Sequence, residues 1–374
     1  MSLRSVAPQL IDQLETPAAL VDLDRLAHNL DRMAAYCVLH GLALRPHVKT
    51  HKSPRIAAEQ LRLGAAGLTC ATPRELEVMS DTCDDLLLAH PPVGAAKLRR
   101  VLAINPDVRL TVAIDSIEAV EAMAEAAEAV GREVDVYVEV DVGMRRVGVA
   151  TPDEAIALAR RVNALPPLRF DGITFYPGHV RQHLSQQDEA LAKLRADLAH
   201  WLQALGDAGL SPSVVSGGST PAAWRMHEVA GVTEVRPGTY VYNDRATAEV
   251  GACGWEDCAL TVLATVISTA VPGQAVVDAG SKALGREPRP AGDQAGYGCL
   301  LDRPEIRVVR MSEEHGILDL RGSDWQPRVG DVVRIIPNHV CIVVHLNDII
   351  YGVRGVVVES SWPVSARGRA PLPV

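Results

Sequence analysis

The residues most able to do chemistry lie between positions 45 and 52, in the run Arg-Pro-His-Val-Lys-Thr-His-Lys, directly after the apolar residues 42–44. Two lysines, two histidines and an arginine this close together repel one another, which lowers the pKa of a lysine and favours a nucleophilic amine. Such an amine forms an imine with an aldehyde, either a carbonyl substrate or pyridoxal phosphate (PLP). The other cations suit a phosphate or a carboxylate. A solvated basic loop is the alternative interpretation.

A second candidate site is the segment 216–220, Ser-Gly-Gly-Ser-Thr, which follows a short apolar run. Its glycines leave backbone N–H groups accessible and its hydroxyls add further donors, and such groups at the start of a helix bind phosphate. The alternative interpretation is a flexible glycine turn.

A third candidate is the pair His339 and Cys341, which the spacing places on one face of a predicted strand. Imidazole and thiolate together bind a divalent cation. Because two ligands are too few for a closed structural zinc site, such a metal would keep open positions for water or substrate. A core histidine beside a core cysteine is the alternative.

The elements that must position these residues alternate between apolar strands and helices or long connections. This alternation predicts an α/β fold built on a TIM-type (β/α)8 barrel. A doubly wound open sheet would also show the alternation, but the sequence lacks the Gly-x-Gly-x-x-Gly turn that often opens a helix in that fold. The eight predicted strands are 42–44, 67–70, 86–89, 110–114, 134–140, 172–175, 213–215 and 239–241.

Beyond residue 245 the pattern changes to short alternating runs punctuated by glycine and proline, which predicts a β-rich second domain. We therefore expect a barrel over residues 22–245 and a β-rich domain over 246–374. The N-terminal segment 1–21 is expected to join the second domain, because chain termini often lie close together.

Polar residues at the carboxyl ends of barrel strands are the expected active-site residues. Because barrels often bind phosphate at their last strands, the position of segment 216–220 after the seventh strand favours a phosphate site. The strand-end candidates are His47, Lys49, Glu139, Asp141, Arg145, Arg146, Tyr176, Gly178, His179, residues 216–220 and residues 236–240.

Composition excludes several classes of function. A net charge of −9 and a pI near 5.7 argue against nucleic acid or an anionic membrane as the main partner. The sequence has no signal-peptide plan and no apolar run of membrane-spanning length. Seven scattered cysteines fit a reducing compartment, so we expect a cytoplasmic protein.

Together and in order, these segments resemble the D-threonine aldolase and D-serine dehydratase family of PLP enzymes, which has the alanine racemase-like fold (fold type III). The resemblance runs nearly from end to end. It is carried by residues 16–24, 45–52, 139–148, 175–179, 215–220, 236–240, 312–316 and 337–341.

The resemblance implies roles for individual residues. Lys49, rather than Lys52, would hold PLP as an imine, and His179 would lie near the substrate hydroxyl. His339 and Cys341 would bind a divalent metal, namely zinc, manganese or magnesium. The implied cofactor-binding set is Lys49, His47, Arg146 near the phenolic oxygen, Tyr176 against the pyridine ring, and Ser216, Gly217, Gly218, Ser219, Thr220, Gly238, Thr239 and Tyr240 around the phosphate.

The implied function is a PLP- and metal-dependent lyase acting on D-3-hydroxy amino acids, as a homodimer with a small-molecule substrate as its partner. D-threonine aldolase-type cleavage to glycine and an aldehyde comes first, because the segment 176–179 resembles bacterial chains called aldolase-like. Dehydration of D-serine or D-3-hydroxyaspartate is the alternative, since aldolases of the family carry an acidic residue where Cys341 stands. An amino acid racemase and a non-catalytic PLP carrier are further alternatives.

Overall fold

A computed structural model describes residues 9–288 and 295–371 and divides the chain into two compact units. Among the described residues, the first unit, here called the barrel unit, comprises Asp31–Gly238, Val250–Ala252 and residues 366–371. The second, here called the β-rich unit, comprises residues 9–30, Thr239–Glu249 and the described residues between 253 and 365.

The barrel unit contains a sheet of eight strands in which every neighbouring pair runs parallel. A parallel bridge between His47 and Thr69 and a hydrogen bond from Thr69 N to Pro46 O (2.9 Å) link the first strand to the second. The sheet is therefore closed, and the predicted (β/α)8 barrel is confirmed. Its strands are Ala43–Leu44, Leu68–Cys70, Asp85–Leu88, Arg109–Ile114, Val134–Glu139, Leu168–Thr174, Val214–Gly217 and Glu234–Val235.

The connecting helices begin at capping residues and bury one face. In Pro152–Asn163, Thr151 and Glu154 form a reciprocal capping box, proline occupies the first turn, and the buried positions recur every three or four residues. None of the helices within residues 9–288 and 295–371 is both long enough and apolar enough to cross a membrane. The barrel helices are Pro54–Arg62, Pro73–Met79, Ala95–Leu102, Ile117–Val130, Pro152–Asn163, Asp188–Asp207 and the 3-10 helix Thr220–Glu228. Helix Leu23–Leu39 begins in the β-rich unit and belongs to the barrel unit from Asp31 onward.

The eighth strand differs from its predicted position. The strand expected at 239–241 is wrong: these residues form the 3-10 helix Thr239–Val241, and the eighth strand is Glu234–Val235. Pro237 has no N–H to continue the parallel ladder. The chain instead turns, with Asn243 N donating to Thr239 O at 2.7 Å.

The β-rich unit is a ten-stranded, largely antiparallel sheet. Ala18–Asp22 enters its centre, antiparallel to Leu260–Ser268 and parallel to Ile349–Arg354, and side chains from all three strands share one apolar cluster. The predicted second, mostly β domain is thus confirmed. Its other strands are Gln9–Leu10, Gln274–Val277, Gly298–Leu300, Val308–Met311, Gly316–Asp319, Val332–Pro337 and Val357–Pro363, and its short helices are Arg245–Glu249, Ser281–Leu284 and Val340–Leu346.

The His339 and Cys341 pair does not lie on a strand, so that prediction is wrong. The strand Val332–Pro337 ends at its proline, and His339 is the N-cap residue of helix Val340–Leu346. The two side chains are therefore held at a strand-to-helix junction rather than on one strand face.

A chain of buried charged groups, here called the barrel charge chain, occupies the barrel unit. Arg45 Nε donates to Glu234 Oε2 at 2.7 Å, and Arg45 Nη1 donates to Asp85 Oδ1 at 2.6 Å. The Ser216 hydroxyl donates to Glu234 Oε1 at 2.5 Å and accepts from Arg236. The Arg45 and Glu234 side chains are only 4% and 3% exposed, so each charge depends on its partner.

Glu234→Gln should destabilise the protein strongly, because it leaves the Arg45 guanidinium buried with half its compensation. We expect a loss of about 3–5 kcal/mol in the free energy of unfolding, measured by urea denaturation. The matched control is Glu59→Gln, whose ion pair with Arg62 is exposed to solvent, so its loss should change the free energy of unfolding far less. Equal effects of the two substitutions would contradict the importance of this buried pair.

Candidate active site

Lys49 lies directly after the first barrel strand, in the 3-10 helix Val48–Thr50 capped by His47. Its Nζ is 5.9 Å from the centroid of the Tyr176 ring, and Arg146 Cζ is 4.8 Å from the same ring. The structure therefore brings Lys49, Tyr176 and Arg146, three residues predicted to contact the cofactor, around one aromatic ring at the carboxyl ends of the strands.

The two lysines of the basic stretch differ in their partners. Lys52 Nζ forms a buried ion pair with Glu75, whose other carboxylate oxygen accepts from Ala71 N at 2.6 Å. Lys49 is half-buried, and within the described part of the chain its amine forms no ion pair. Because Lys52 is occupied, Lys49 is the amine available for chemistry.

The remaining cations of this stretch are also buried, which excludes the solvated-loop interpretation. Burial, followed by the charges of Lys49 and Arg236, holds the pKa of His47 well below its usual value. Burial likewise lowers the pKa of His51 to about 3. Both histidines are neutral at pH 7, so the predicted repulsion within the stretch is relieved by neutral imidazoles and by the ion pair of Lys52.

Arg146 is presented by a loop that Asp141 organises. Asp141 Oδ1 accepts from Gly143 N and Arg145 N, both at 2.9 Å, and Arg145 adopts a left-handed conformation with φ of 54°. The exposed His179 ring packs on this loop, since a Cβ added at Gly143 would lie 3.4 Å from it. His179 thus reaches the loop that carries Arg146.

The segment 216–220 fits a phosphate at its second half. Ser219 Oγ is buried, and no described residue provides it with a hydrogen-bond partner. It precedes the 3-10 helix Thr220–Glu228, and Gly218 before it has φ of 104°. The Ser216 hydroxyl is instead fully buried and engaged in the barrel charge chain. An orphaned hydroxyl beside a glycine at a helix start is what a phosphate oxygen would satisfy.

Gly238 joins the loop after the eighth strand to the lysine-bearing turn. A Cβ at this position would lie 2.8 Å from Thr50 Oγ1 and 3.2 Å from His47 Cβ, so only glycine fits. A hydrogen bond from His47 N to Pro237 O (3.0 Å) reinforces the contact. The remaining predicted cofactor residues, Thr239 and Tyr240, lie in the helical turn Thr239–Val241 of the β-rich unit.

His339 is held by a carboxylate that the sequence analysis missed. Its Nδ1 lies 2.9 Å from Asp244 Oδ2. Burial opposes the charged imidazole, but Cys341 and Asp244 outweigh it and raise the pKa of His339 to about 11. In the described residues no three His, Cys, Asp or Glu side chains are grouped to hold a metal ion. His339 and Cys341 therefore offer two donors, which suits a cation that keeps open positions.

The structure gives two further acidic residues a place that the sequence pattern does not indicate. Glu234 anchors the barrel charge chain, although in the sequence it is only an acidic residue next to Val235 in a short strand. Glu139, named above only as a strand-end residue, is buried, and this burial raises its pKa to about 7 against the opposing charges of Arg236 and Arg146.

Comparisons with known proteins agree with this architecture. Residues 21–246 match the family model "Alanine racemase, N-terminal domain" and residues 259–353 match "Putative serine dehydratase domain". The D-threonine aldolase of Arthrobacter sp. is 33% identical over 95% of this chain and 93% of its own. The D-threo-3-hydroxyaspartate dehydratase of Delftia sp. (strain HT23) is 37% identical over 88% of this chain and 91% of its own.

Solved structures extend the comparison. The crystal structure of D-threonine aldolase from Filomicrobium marinum has a TM-score of 0.88 and 34% identity, covering 97% of this chain and 99% of that one. Two D-threo-3-hydroxyaspartate dehydratase mutants, 31% and 32% identical and both with a TM-score of 0.86, cover 95% and 97% of this chain and 96% and 100% of theirs. They replace a histidine and a cysteine two residues apart, and the cysteine mutant is described as the metal-free form.

The closed barrel with an available lysine after its first strand, together with these matches, defines a PLP-dependent enzyme of the alanine racemase-like fold. Within that class, the chain belongs to the D-threonine aldolase and D-serine dehydratase family of lyases.

Lys49→Ala should abolish the visible absorption band of the PLP-reconstituted protein, because it removes the amine that lies beside Tyr176. The matched variant Lys52→Ala should keep the band while lowering the melting temperature, since it leaves Glu75 buried without its partner. Absorption spectra and thermal melts of the two variants separate these roles. A band that survives in Lys49→Ala and vanishes in Lys52→Ala would reverse the assignment.

Proposed function

We propose that this chain is a PLP- and divalent-metal-dependent lyase that dehydrates D-3-hydroxy amino acids. The observation that carries the lyase assignment is the unpaired Lys49 amine beside Tyr176 and Arg146, with the orphaned Ser219 hydroxyl placed for a phosphate. The observation that favours dehydration is the His339 and Cys341 pair, because the two dehydratase mutants above alter a histidine and a cysteine at the same spacing.

Three residues of the barrel unit have separate roles in this proposal. Lys49 would attach the cofactor through Nζ and, when its amine is free, would accept the substrate α-proton on the same nitrogen. Arg146 would donate hydrogen bonds to the phenolic oxygen and stabilise its negative charge. The Tyr176 ring, which lies beside both Lys49 and Arg146, would support the pyridine ring. When bound, PLP supplies an electron sink for the bonds at the substrate α-carbon.

The phosphate would be held mainly by backbone N–H groups and by Ser219. The Ser216 hydroxyl is already hydrogen-bonded to Glu234 and Arg236, so its proposed role is to hold the segment 216–220 in place. Main-chain donors, or room for the phosphate to approach the backbone, would come from Gly217, Gly218, Thr220 and Gly238. The proposed phosphate-binding residues also include Thr239 and Tyr240. His47, neutral and hydrogen-bonded to the neighbouring loop, would keep the lysine turn in place.

His339 and Cys341 would hold the divalent cation, which supplies a Lewis acid for the substrate β-hydroxyl. An imidazole and a thiolate suit zinc better than magnesium, with manganese between them. His179 would exchange a proton with the β-oxygen: it donates one when the hydroxyl leaves as water, and accepts one when the bond between the α- and β-carbons breaks. The same residues thus serve either reaction.

Retro-aldol cleavage, which the sequence places first, is the second candidate. It is favoured by similarity to D-threonine aldolases over 95% and 97% of the chain. The two reactions give different products from a D-3-hydroxy amino acid. Dehydration yields ammonia and a 2-oxo acid, whereas retro-aldol cleavage yields glycine and an aldehyde.

The test is incubation of the PLP-loaded protein and Zn²⁺ or Mn²⁺ with D-serine, D-threonine and D-threo-3-hydroxyaspartate. We expect ammonia and a 2-oxo acid from at least one of them, and no turnover of the L-enantiomers. Glycine with an aldehyde as the sole product would replace dehydration by aldol cleavage. No turnover of any of the three D-amino acids would contradict the lyase proposal as a whole.

His339→Ala and Cys341→Ala should each lower bound metal at least about tenfold, because either change removes one of the two proposed protein ligands. The cofactor band should stay, since Lys49 is unchanged. Metal analysis after dialysis against trace Zn²⁺ measures the effect, and the exposed His315→Ala is the matched control. Unchanged metal content in both variants would remove this pair from the proposal.

We further propose that residues 22–245 form the PLP-binding domain and that residues 246–374, with 1–21, form the metal-carrying domain. A homodimer is proposed from the family resemblance. None of the seven cysteines, all of which lie within the described residues, forms a disulfide, and this supports the proposal of a cytoplasmic location.

A further inference from the structure

Asp244 is a fully buried carboxylate in the β-rich unit with four hydrogen-bond donors around it. Its Oδ1 accepts from Thr247 N at 2.9 Å and from Thr247 Oγ1 at 2.8 Å. Its Oδ2 accepts from His339 Nδ1 at 2.9 Å and from Val340 N at 3.1 Å. One oxygen therefore caps helix Arg245–Glu249, and the other holds His339 and Val340 at the start of helix Val340–Leu346.

The contact with His339 fixes which ring nitrogen carries a proton. A carboxylate oxygen only accepts, so Nδ1 must donate to Asp244. Nε2 is then the ring nitrogen that gives up its proton when a cation binds and supplies the lone pair. The Asp244 side chain is 0% exposed and that of His339 is 34% exposed, so the ring is anchored at its buried side and accessible at the other.

The backbone that carries His339 is also braced by contacts of Asn338 that do not involve the Asp244 side chain. Asn338 Oδ1 accepts from Arg245 Nη1 at 3.2 Å, and Asn338 Nδ2 donates to Gly296 O at 2.7 Å and to Glu287 O at 2.9 Å. Removing the Asp244 carboxylate charge should therefore alter the ring of His339 more than the path of the main chain.

We propose that Asp244 is a positioning residue, which holds the His339 imidazole with Nδ1 protonated so that Nε2 and the Cys341 thiolate can bind one divalent cation. This inference rests on the proposed function, in which the pair binds metal. It assigns to Asp244 the orienting role of a carboxylate behind a metal-binding histidine. Asp244 itself contributes no atom to the cation.

The decisive variant is Asp244→Asn. In this variant the amide oxygen can replace Oδ1 and still accept from Thr247. The amide NH₂ then replaces Oδ2, so a donor faces His339 Nδ1 and Val340 N, which both need an acceptor. We expect the PLP-loaded protein to bind Zn²⁺ about 10- to 100-fold more weakly, measured by competition with a chromophoric chelator. In ¹⁵N-histidine NMR spectra of the zinc-loaded protein, the wild-type Nδ1–H signal of His339 should be absent from the variant.

The control is Thr247→Ala, which removes a donor to Oδ1 and weakens the same helix cap but leaves Oδ2 unchanged. It should lower the melting temperature while keeping the affinity for Zn²⁺ within about twofold of the wild type. Equal weakening in both variants, or an unchanged affinity in Asp244→Asn, would overturn the proposal. This test measures the affinity for Zn²⁺ and not substrate turnover. If the protein binds Zn²⁺ but acts on no D-amino acid, the proposed function is refuted, while the role of Asp244 in Zn²⁺ binding can still be tested.

Discussion

The barrel unit depends on how it compensates the charges inside it. Arg45 and Glu234 are almost completely buried, and a charge in that environment is tolerated only when a partner is held at hydrogen-bond distance. Glu234 meets this need on both sides, since it accepts from Arg45 and from the Ser216 hydroxyl. Because Ser216 also accepts from Arg236, these contacts tie together the segments at the ends of the first, seventh and eighth strands.

The same principle sorts the basic stretch into residues with different uses. Lys52 is neutralised by Glu75, while His47 and His51 lose their charge through burial. What remains at the carboxyl end of the first strand is Lys49, half-buried and beside an aromatic ring. A group of cations that looks uniform along the chain therefore contains one accessible amine.

The sequence was sufficient for the barrel because apolar runs separated by amphipathic helices leave few other arrangements. It was insufficient where local chemistry competes with periodicity. Residues 239–241 are apolar enough for a strand, yet the proline at 237 ends the ladder before them. Asp244 was missed because its partner His339 lies 95 positions away, and no local spacing reports such a contact. The family resemblance names Lys49 rather than Lys52, but the physical reason, the ion pair of Lys52 with Glu75, appears only in the folded chain.

The assignment of functional groups to the two units has an evolutionary consequence. Lys49, Tyr176, Arg146 and Ser219 belong to the barrel unit, whereas His339, Cys341 and Asp244 belong to the β-rich unit. Mutations that modify the proposed cation ligands therefore arise in a part of the chain with its own core, and they need not disturb the residues assigned to the cofactor. In such a family the type of reaction can therefore change through substitutions in the β-rich unit, while selection preserves the cofactor residues of the barrel unit.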